Sequence, residues 1–297
     1  MIFWLLLACR NDKEDSASGG IEVSELAEVV GGLGFVTDAT PSPDASRVYY
    51  LASDPWTVWS APFDGSGGGS ALYELDSPRN VVVDPAGETL YVSDGDGVYA
   101  LPAEGGEATL LEETEGTSPE GLDILVLDGE TWLYFTGLSP DGSGANGLHR
   151  IRASGGDIQT LGEGSPFYSP EGVAVSADGV TAWVCDSASG TDSTGALIQV
   201  RGGEATSVLE GFEAGNPCGV ALGGGEGTVL ISSIDADGKS QLLLYDVSEG
   251  ELSTYNDGIG ENVGSGGMHR AHDAGDVYAW TGLKAGGEGV VHRVEVE

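Results

Sequence analysis

Two glutamates occur in the same short sequence context. Glu120 and Glu171 each follow a Ser-Pro pair and precede a glycine and a run of mainly apolar residues. Asp38, Asn80 and Asn216 stand near the corresponding point of other apolar runs. Carboxylate and amide oxygens are the ligands of hard cations such as Ca²⁺, which takes about six to eight of them. These five residues are therefore candidate ligands of one divalent cation.

Arg79 holds, in its own segment, the place that the two glutamates hold in theirs. A guanidinium forms a strong ion pair with a nearby carboxylate, and that pair removes the negative charge that a cation needs. We expect Arg79 to pair with Glu120, in which case Pro-Glu-Gly is a turn motif. No cofactor is certain from the sequence, and one Ca²⁺ is the candidate.

Histidine is the usual side chain for acid–base chemistry near neutral pH. The chain has four: His149, His269, His272 and His292. His269 is the candidate catalytic residue, because it lies nearer the start of an apolar strand than His272 does. Alternatively, His269 is a neutral side chain that packs on its strand and bonds to backbone.

Composition predicts short strands and excludes one class of partner. The chain has 50 glycines, many beside Asp, Asn or Ser, which mark frequent turns and leave little room for helices. Its formal net charge of −37 repels phosphate backbones, so nucleic acid is not an expected partner. High acidity of this kind is commonly a solubility feature.

The candidate residues belong to a cassette that recurs about every 40 to 50 residues. It begins with Ser-Pro or a related pair before an apolar triplet, passes an Asp-Gly turn to a second strand, and continues to two more strands. Copies begin near residues 36, 77, 118, 169, 216 and 266. A unit of this length with four short strands is typical of a β-propeller blade.

The sixth copy ends at its third strand, residues 290–296, whereas residues 23–30 form an apolar strand with no unit ahead of them. We expect this N-terminal strand to close the last blade. The sequence thus predicts an all-β, six-bladed β-propeller with four-stranded antiparallel blades over residues 21–297. Two separate three-bladed units would leave open sheet edges.

Alignment of the copies places one residue of each at the entry of its inner strand, near the axis. These are Thr37, Arg79, Glu120, Glu171, Cys218 and Gly267. Thr37, Arg79 and Cys218 are then candidate binding residues at the tunnel mouth. Cys185 and Cys218 fall on adjacent blades and are candidates for a disulfide in an oxidising compartment. Alternatively, Cys185 only meets a need for a small residue, because other copies carry Ser or Thr there.

The cassette Pro-Glu-Gly, apolar triplet, Asp-Gly and Tyr-Val-x-Asp resembles the blades of NHL-type propellers and of the gluconolactonase/senescence-marker family. That resemblance implies a divalent metal held by Glu, Asn and Asp at the tunnel mouth and, in some members, hydrolysis of lactones or phosphoesters. Arg79 and Cys218 depart from the family's ligand set. Likeness to propeller lyases implies a general acid or base role for His269.

The N-terminus predicts export. Residues 2–8 are apolar and end at Cys9, and Leu6-Leu7-Ala8-Cys9 resembles a bacterial lipobox, whose cysteine is acylated. So short a run cannot span a bilayer. We expect a signal peptide over residues 1–8, then lipidated Cys9 and a flexible tether over residues 9–20. Alternatively, this is an ordinary signal peptide and Cys9 is incidental.

Three functions fit the sequence. In the first, a monomeric lipoprotein anchored by its lipid in the membrane, in the periplasm or at the cell surface, binds an unknown small molecule or protein at the tunnel face. The second is a metal-dependent lactonase or hydrolase of the gluconolactonase type. The third is a lyase that depends on His269. The binding function is consistent with the different residue types at the six strand entries and with the incomplete catalytic motifs.

Overall fold

The computed structural model describes residues 23–257, 259 and 262–297. The predicted signal peptide, Cys9, the whole predicted tether and the first two residues of the predicted domain fall in residues 1–22, outside the described residues. Two short 3₁₀ turns, Glu112–Thr114 and Thr191–Ser193, are the helical elements of the described part. None of its helices is long and apolar enough to cross a membrane.

Twenty-four strands form six four-stranded antiparallel sheets, as predicted. Blade one contains β2 (Val36–Pro41), β3 (Arg47–Ala52), β4 (Thr57–Pro62) and β5 (Ser70–Glu74). Blade two contains β6 (Asn80–Val83), β7 (Thr89–Asp94), β8 (Gly97–Pro102) and β9 (Thr109–Leu110). Blade three contains β10 (Leu122–Leu127), β11 (Glu130–Leu138), β12 (Asn146–Arg152) and β13 (Gln159–Glu163).

The remaining blades repeat this order from the axis outwards. Blade four contains β14 (Pro170–Val175), β15 (Thr181–Asp186), β16 (Gly195–Arg201) and β17 (Glu204–Phe212). Blade five contains β18 (Val220–Leu222), β19 (Thr228–Ile234), β20 (Ser240–Asp246) and β21 (Leu252–Tyr255). Blade six contains β22 (Asn262–Arg270), β23 (Val277–Lys284), β24 (Gly289–Val296) and, outermost, β1 (Val23–Leu33).

The N-terminal strand closes blade six, which confirms the prediction. β1 pairs antiparallel with β24 from Val23 opposite Val296 to Leu33 opposite Gly289. Main-chain hydrogen bonds therefore join strands from opposite ends of the described chain. This pairing gives β24 a neighbour on its outer side and protects an edge that would otherwise template aggregation.

The Asp-Gly turns link inner strands to second strands by a local mechanism. In blade four the carboxylate of Asp178 accepts hydrogen bonds from the Ser176 hydroxyl and the Val180 amide. Gly179 follows with φ of 68°, a left-handed conformation that glycine adopts without steric cost. The chain thus reverses between β14 and β15 and starts the second strand in register.

The core lies between the blades. Buried apolar side chains form six clusters, and each cluster draws residues from two neighbouring blades. Between blades three and four, for example, Tyr134 packs in the same cluster as Val184 and Ile198. Every blade consequently buries both faces, and the ring positions its inner strands around one axis.

Four pairs of adjacent blades are also tied at one recurrent position near the end of the second strand. Hydroxyls of Ser93, Thr136 and Thr281 donate to the carbonyls of Glu120, Glu171 and Thr37 in the next blade, at 2.8, 2.8 and 3.1 Å. Blade four has Cys185 at this position. Cys185 forms a disulfide with Cys218 of blade five, with Cα atoms 5.7 Å apart, so the candidate disulfide is confirmed.

Candidate functional site

The six aligned entry residues meet at one end of the tunnel. They line a cavity of about 270 Å³: Thr37, Arg79, Glu120, Glu171, Cys218 and Gly267. We refer to this cavity as the tunnel mouth. Asn80, Asn216 and His269 line it as well. The repeat alignment therefore brings together residues from all six blades, whereas the role of each residue stays a prediction.

The expected ion pair is present in the mouth. Arg79 Nη1 lies 3.4 Å from Glu120 Oε2. Burial raises the pKa of Glu120, and the charge of Arg79 opposes this shift. Both side chains keep substantial exposure, 48% for Arg79 and 36% for Glu120, so they remain accessible to a ligand.

Glu171 is bound by the protein through both carboxylate oxygens. Its Oε2 accepts a hydrogen bond from the Cys218 amide, and its Oε1 accepts one from the Ser187 hydroxyl at 2.7 Å. Burial raises the pKa of Glu171, these two hydrogen bonds oppose the rise, and the nearby charge of Glu120 adds to it. The disulfide partner Cys218 thus also fixes the position of this carboxylate.

Asp38 pairs with His269 across the junction of blades one and six. His269 Nε2 lies 3.0 Å from Asp38 Oδ2, and the same oxygen accepts the Val81 amide at 2.8 Å. Asp38 is fully buried. Burial alone would lower the pKa of His269, but the charge and hydrogen bond of Asp38, with the charge of Asp123, outweigh it and raise that pKa.

A second cavity of about 190 Å³ continues from His269 towards the opposite face. Asp123 and exposed His272 line it, together with Glu226. Burial raises the pKa of Asp123, whose Oδ2 accepts the Val175 amide of blade four at 2.7 Å. His269 lines both cavities and marks the waist of the tunnel. His149 and His292 line neither of them.

The predicted Ca²⁺ ligands do not fit a cation in this arrangement. No group of three or more His, Cys, Asp or Glu side chains in residues 23–257, 259 and 262–297 is placed to hold a metal ion. Most of the predicted ligand atoms already have protein partners. Glu171 accepts a hydrogen bond from the backbone amide of Cys218. In the same way, Asp38 accepts one from Val81 and Asn80 accepts one from Leu122.

The two remaining predicted ligands do not restore the set. Glu120 faces the Arg79 guanidinium, and Asn216 is an exposed residue at the rim. An oxygen that already accepts a hydrogen bond from a neighbouring blade is a poor Ca²⁺ ligand. A carboxylate that faces a guanidinium is also a poor ligand. The structural reason for the pattern of Glu, Asp and Asn is thus the tying of one inner strand to the next.

Sequence reasoning missed an aromatic wall of the mouth. Phe35 and Trp56 line the cavity, and their rings meet edge to face with centroids 6.3 Å apart. Both residues lie outside the repeated cassette, so comparison of the copies does not single them out. A tryptophan directly after Asp-Pro in a connecting loop is the one signal that the sequence offers.

Thr37 adds an unsatisfied polar group. It lines the mouth and is 8% exposed, and its hydroxyl has no hydrogen-bond partner in the described part of the chain. A buried polar atom without a partner costs about 1–3 kcal/mol. The accessible part of the mouth therefore combines an aromatic wall, a guanidinium donor and carboxylate acceptors, and the Thr37 hydroxyl is buried in its wall.

No protein-family model matches the sequence, and no curated protein matches it. Solved structures share its fold. A gluconolactonase from Xanthomonas campestris is 16% identical with a TM-score of 0.66, over 92% of this chain and 89% of that chain. A putative gluconolactonase is 15% identical with a TM-score of 0.65, over 92% of both chains.

A third similar structure is a putative TolB from Agrobacterium tumefaciens. It is 16% identical with a TM-score of 0.61, over 88% of this chain and 90% of that chain. Identities in this range establish a shared propeller fold, and function has to be argued from the site. The two gluconolactonase structures thus support the resemblance to that family at the level of the fold.

Proposed function

We propose that this chain is a binding module whose tunnel mouth takes a small, neutral molecule with several hydroxyl groups. The observation that carries the proposal is the accessible Arg79–Glu120 pair in a mouth that Phe35 and Trp56 also line. A hydroxyl group both donates and accepts hydrogen bonds, so it satisfies guanidinium and carboxylate alike. Most ligand pockets combine an apolar wall with a few polar groups, and Phe35 and Trp56 supply that wall.

Charge favours a neutral ligand. One guanidinium stands among the carboxylates of Glu120 and Glu171, so an anion meets no excess of positive charge. An organic cation would have to compete with Arg79 for Glu120. The acidic composition also disfavours nucleic acid.

We further propose that the module works outside the cytoplasm, as a monomer anchored in the membrane by a lipid on Cys9. This rests on the sequence Leu6-Leu7-Ala8-Cys9 and on the polar residues that follow it. The disulfide between Cys185 and Cys218 is compatible with an oxidising compartment.

Titration calorimetry with a panel of neutral polyols and sugars, against matched anions and amines, tests the binding proposal. We expect the neutral members to bind and Arg79→Met to weaken their binding at least tenfold. Arg201→Met is the matched control, because Arg201 is an exposed arginine that lines neither tunnel cavity. Preferential binding of charged members, or equal affinities for both variants, would contradict the proposal.

The second candidate is a hydrolase of the gluconolactonase type, and the observation in its favour is the Asp38–His269 pair. A buried carboxylate holds a histidine in one orientation and stabilises its protonated form, which suits a general base. Metal analysis after dialysis, followed by assays with lactones and phosphoesters, tests it. Turnover of a substrate that is lost in His269→Gln would support the hydrolase. If the protein binds no ion and turns over no substrate, the hydrolase is wrong and only the binding function is left.

A further inference from the structure

A third cavity opens beside the tunnel mouth. It has a volume of about 220 Å³ and lies among residues of blades one, five and six. Its apolar side chains are Phe35, Val36, Ala214, Ile234, Val263 and Leu283. We refer to this cavity as the apolar groove.

The apolar groove and the tunnel mouth are adjacent. Phe35 and Asn216 line both. Phe35 is 39% exposed and rests edge-on against Trp56, so its ring stands between the two cavities. A ligand in the mouth would extend over the exposed Phe35 ring to reach the groove.

The groove keeps apolar surface in contact with solvent. Phe35 and Val263 are each 39% exposed and belong to the few large apolar side chains that the described residues leave open. Part of the lining is glycine backbone at Gly264, Gly266 and Gly282. A Cβ at Gly266 would collide with the Thr281 hydroxyl, so the packing of blade six requires glycine there. A concave site with a mainly apolar lining suits the apolar part of a ligand.

Size indicates that the two cavities serve one ligand. Pockets for a complete drug-sized ligand typically measure about 300–1,000 Å³. The mouth at about 270 Å³ and the groove at about 220 Å³ each fall short of that range, whereas together they lie within it.

We propose that the apolar groove binds a short apolar arm of the same molecule whose hydroxylated head occupies the tunnel mouth. This inference rests on the proposed function and narrows its ligand to an amphipathic molecule, such as a polyol or sugar with an alkyl substituent. The head meets Arg79 and Glu120, and the arm passes Phe35 to reach Val263.

The test is calorimetric titration with methyl, butyl and hexyl β-D-glucoside, each below the concentration at which it forms micelles. Burial of one methylene is worth about 0.8 kcal/mol, which corresponds to about fourfold in affinity. We expect affinity to rise with chain length by up to about that factor per methylene until the groove is filled.

Val263→Asp is expected to remove this dependence on chain length and to leave the affinity for methyl glucoside unchanged. Val180→Asp is the matched control, because Val180 is 50% exposed and lines none of these cavities. Ala214→Phe, which narrows the groove from another element, should act as Val263→Asp does. Circular dichroism verifies that each variant is folded.

The outcomes separate the two proposals. Equal affinities for methyl and hexyl glucoside, or a chain-length dependence that survives in both Val263→Asp and Ala214→Phe, would overturn the apolar arm and leave the head-group site intact. Affinities for all three glucosides that Arg79→Met leaves unchanged would overturn the hydroxylated head alone. If no glucoside binds, both proposals fail.

Discussion

Two junctions of the ring are held by different means. Blades four and five are joined covalently through Cys185 and Cys218. Blade six is completed by the pairing of β1 with β24 and touches blade one through Thr281 and His269, all without a covalent bond. The repeat thus determines where neighbouring blades are linked, whereas the kind of link varies from one blade to the next.

The disulfide occupies the place of a hydrogen bond. Ser93 and Thr136 donate to the carbonyls of Glu120 and Glu171 in the next blade. Cys185 holds the equivalent position, and Cys218 is the equivalent of those two glutamates. One backbone geometry thus accepts either a hydroxyl–carbonyl bond or a disulfide.

Deletion of residues 1–33, which removes β1, is the most severe way to break the non-covalent closure. We expect it to abolish cooperative unfolding, because blade six loses its outer strand and β24 becomes an open edge. Domains of this kind have about 5–15 kcal/mol of folding free energy in total, and most of it should be lost. Urea unfolding followed by circular dichroism measures it.

Deletion of residues 1–22 is the control for that experiment, since it leaves β1 whole. A cooperative transition of unchanged midpoint in the longer deletion would show that β1 does not close the ring.

Removal of the covalent tie should have a smaller effect. Cys185→Ala with Cys218→Ala opens a link across 33 residues, and a disulfide of that span typically contributes about 2–4 kcal/mol. Cys185→Ser with Cys218→Ala restores a hydroxyl like that of Ser93 and should recover about 1 kcal/mol. Urea denaturation of both double variants measures the difference.

Ser93→Ala is the reference for the value of one hydroxyl–carbonyl tie. If the two double variants were equally stable, the equivalence of Cys185 and Ser93 would be wrong.

Blade six also predicts a pH dependence of the folding stability. Burial lowers the pKa of His292 from 6.5 to about 4. The unfolded chain then takes up this proton at higher pH than the folded chain, so stability falls as the pH drops from 6.5 to about 4. The loss from this group amounts to about 3 kcal/mol. Unfolding free energies of the wild type and His292→Gln across this range measure it.

His269 provides a control of opposite sign. Its pKa is raised in the folded state, so the stability that it adds is complete below pH 6.5 and is lost as the pH rises through the folded value. The difference in unfolding free energy between the wild type and His269→Gln should therefore become smaller as the pH rises. If the difference in unfolding free energy between the wild type and His292→Gln did not change with pH, the lowered pKa of His292 would be wrong.

The fold was predictable because the repeat carries it. Most blades show an apolar run, a turn rich in Asp or Gly and further strands at a spacing of about 40 to 50 residues. The surplus strand at residues 23–30 completes the last blade. The entry residues followed from the alignment, as did the Arg79–Glu120 pair. Periodicity of this kind survives in a single sequence, since the packing between blades demands it.

The site chemistry was less predictable. Asp38 and His269 are separated by 231 residues, and their pairing follows only when ring closure is combined with side-chain direction. Asp38, Asn80 and Glu171 are residue types that bind cations, yet here they cap the amides of the next blade. Phe35 and Trp56 are not part of the motif that the copies share, so comparison of the copies does not single them out.

Closure by β1 has a consequence for how the molecule forms. Val23 pairs with Val296, so blade six is complete only after nearly the whole described chain has left the ribosome or crossed a membrane. Until then the other blades form an open row with apolar faces at both ends. Contacts between such distant residues make folding slow, and the unfinished row is the species on which a chaperone or a protease would act.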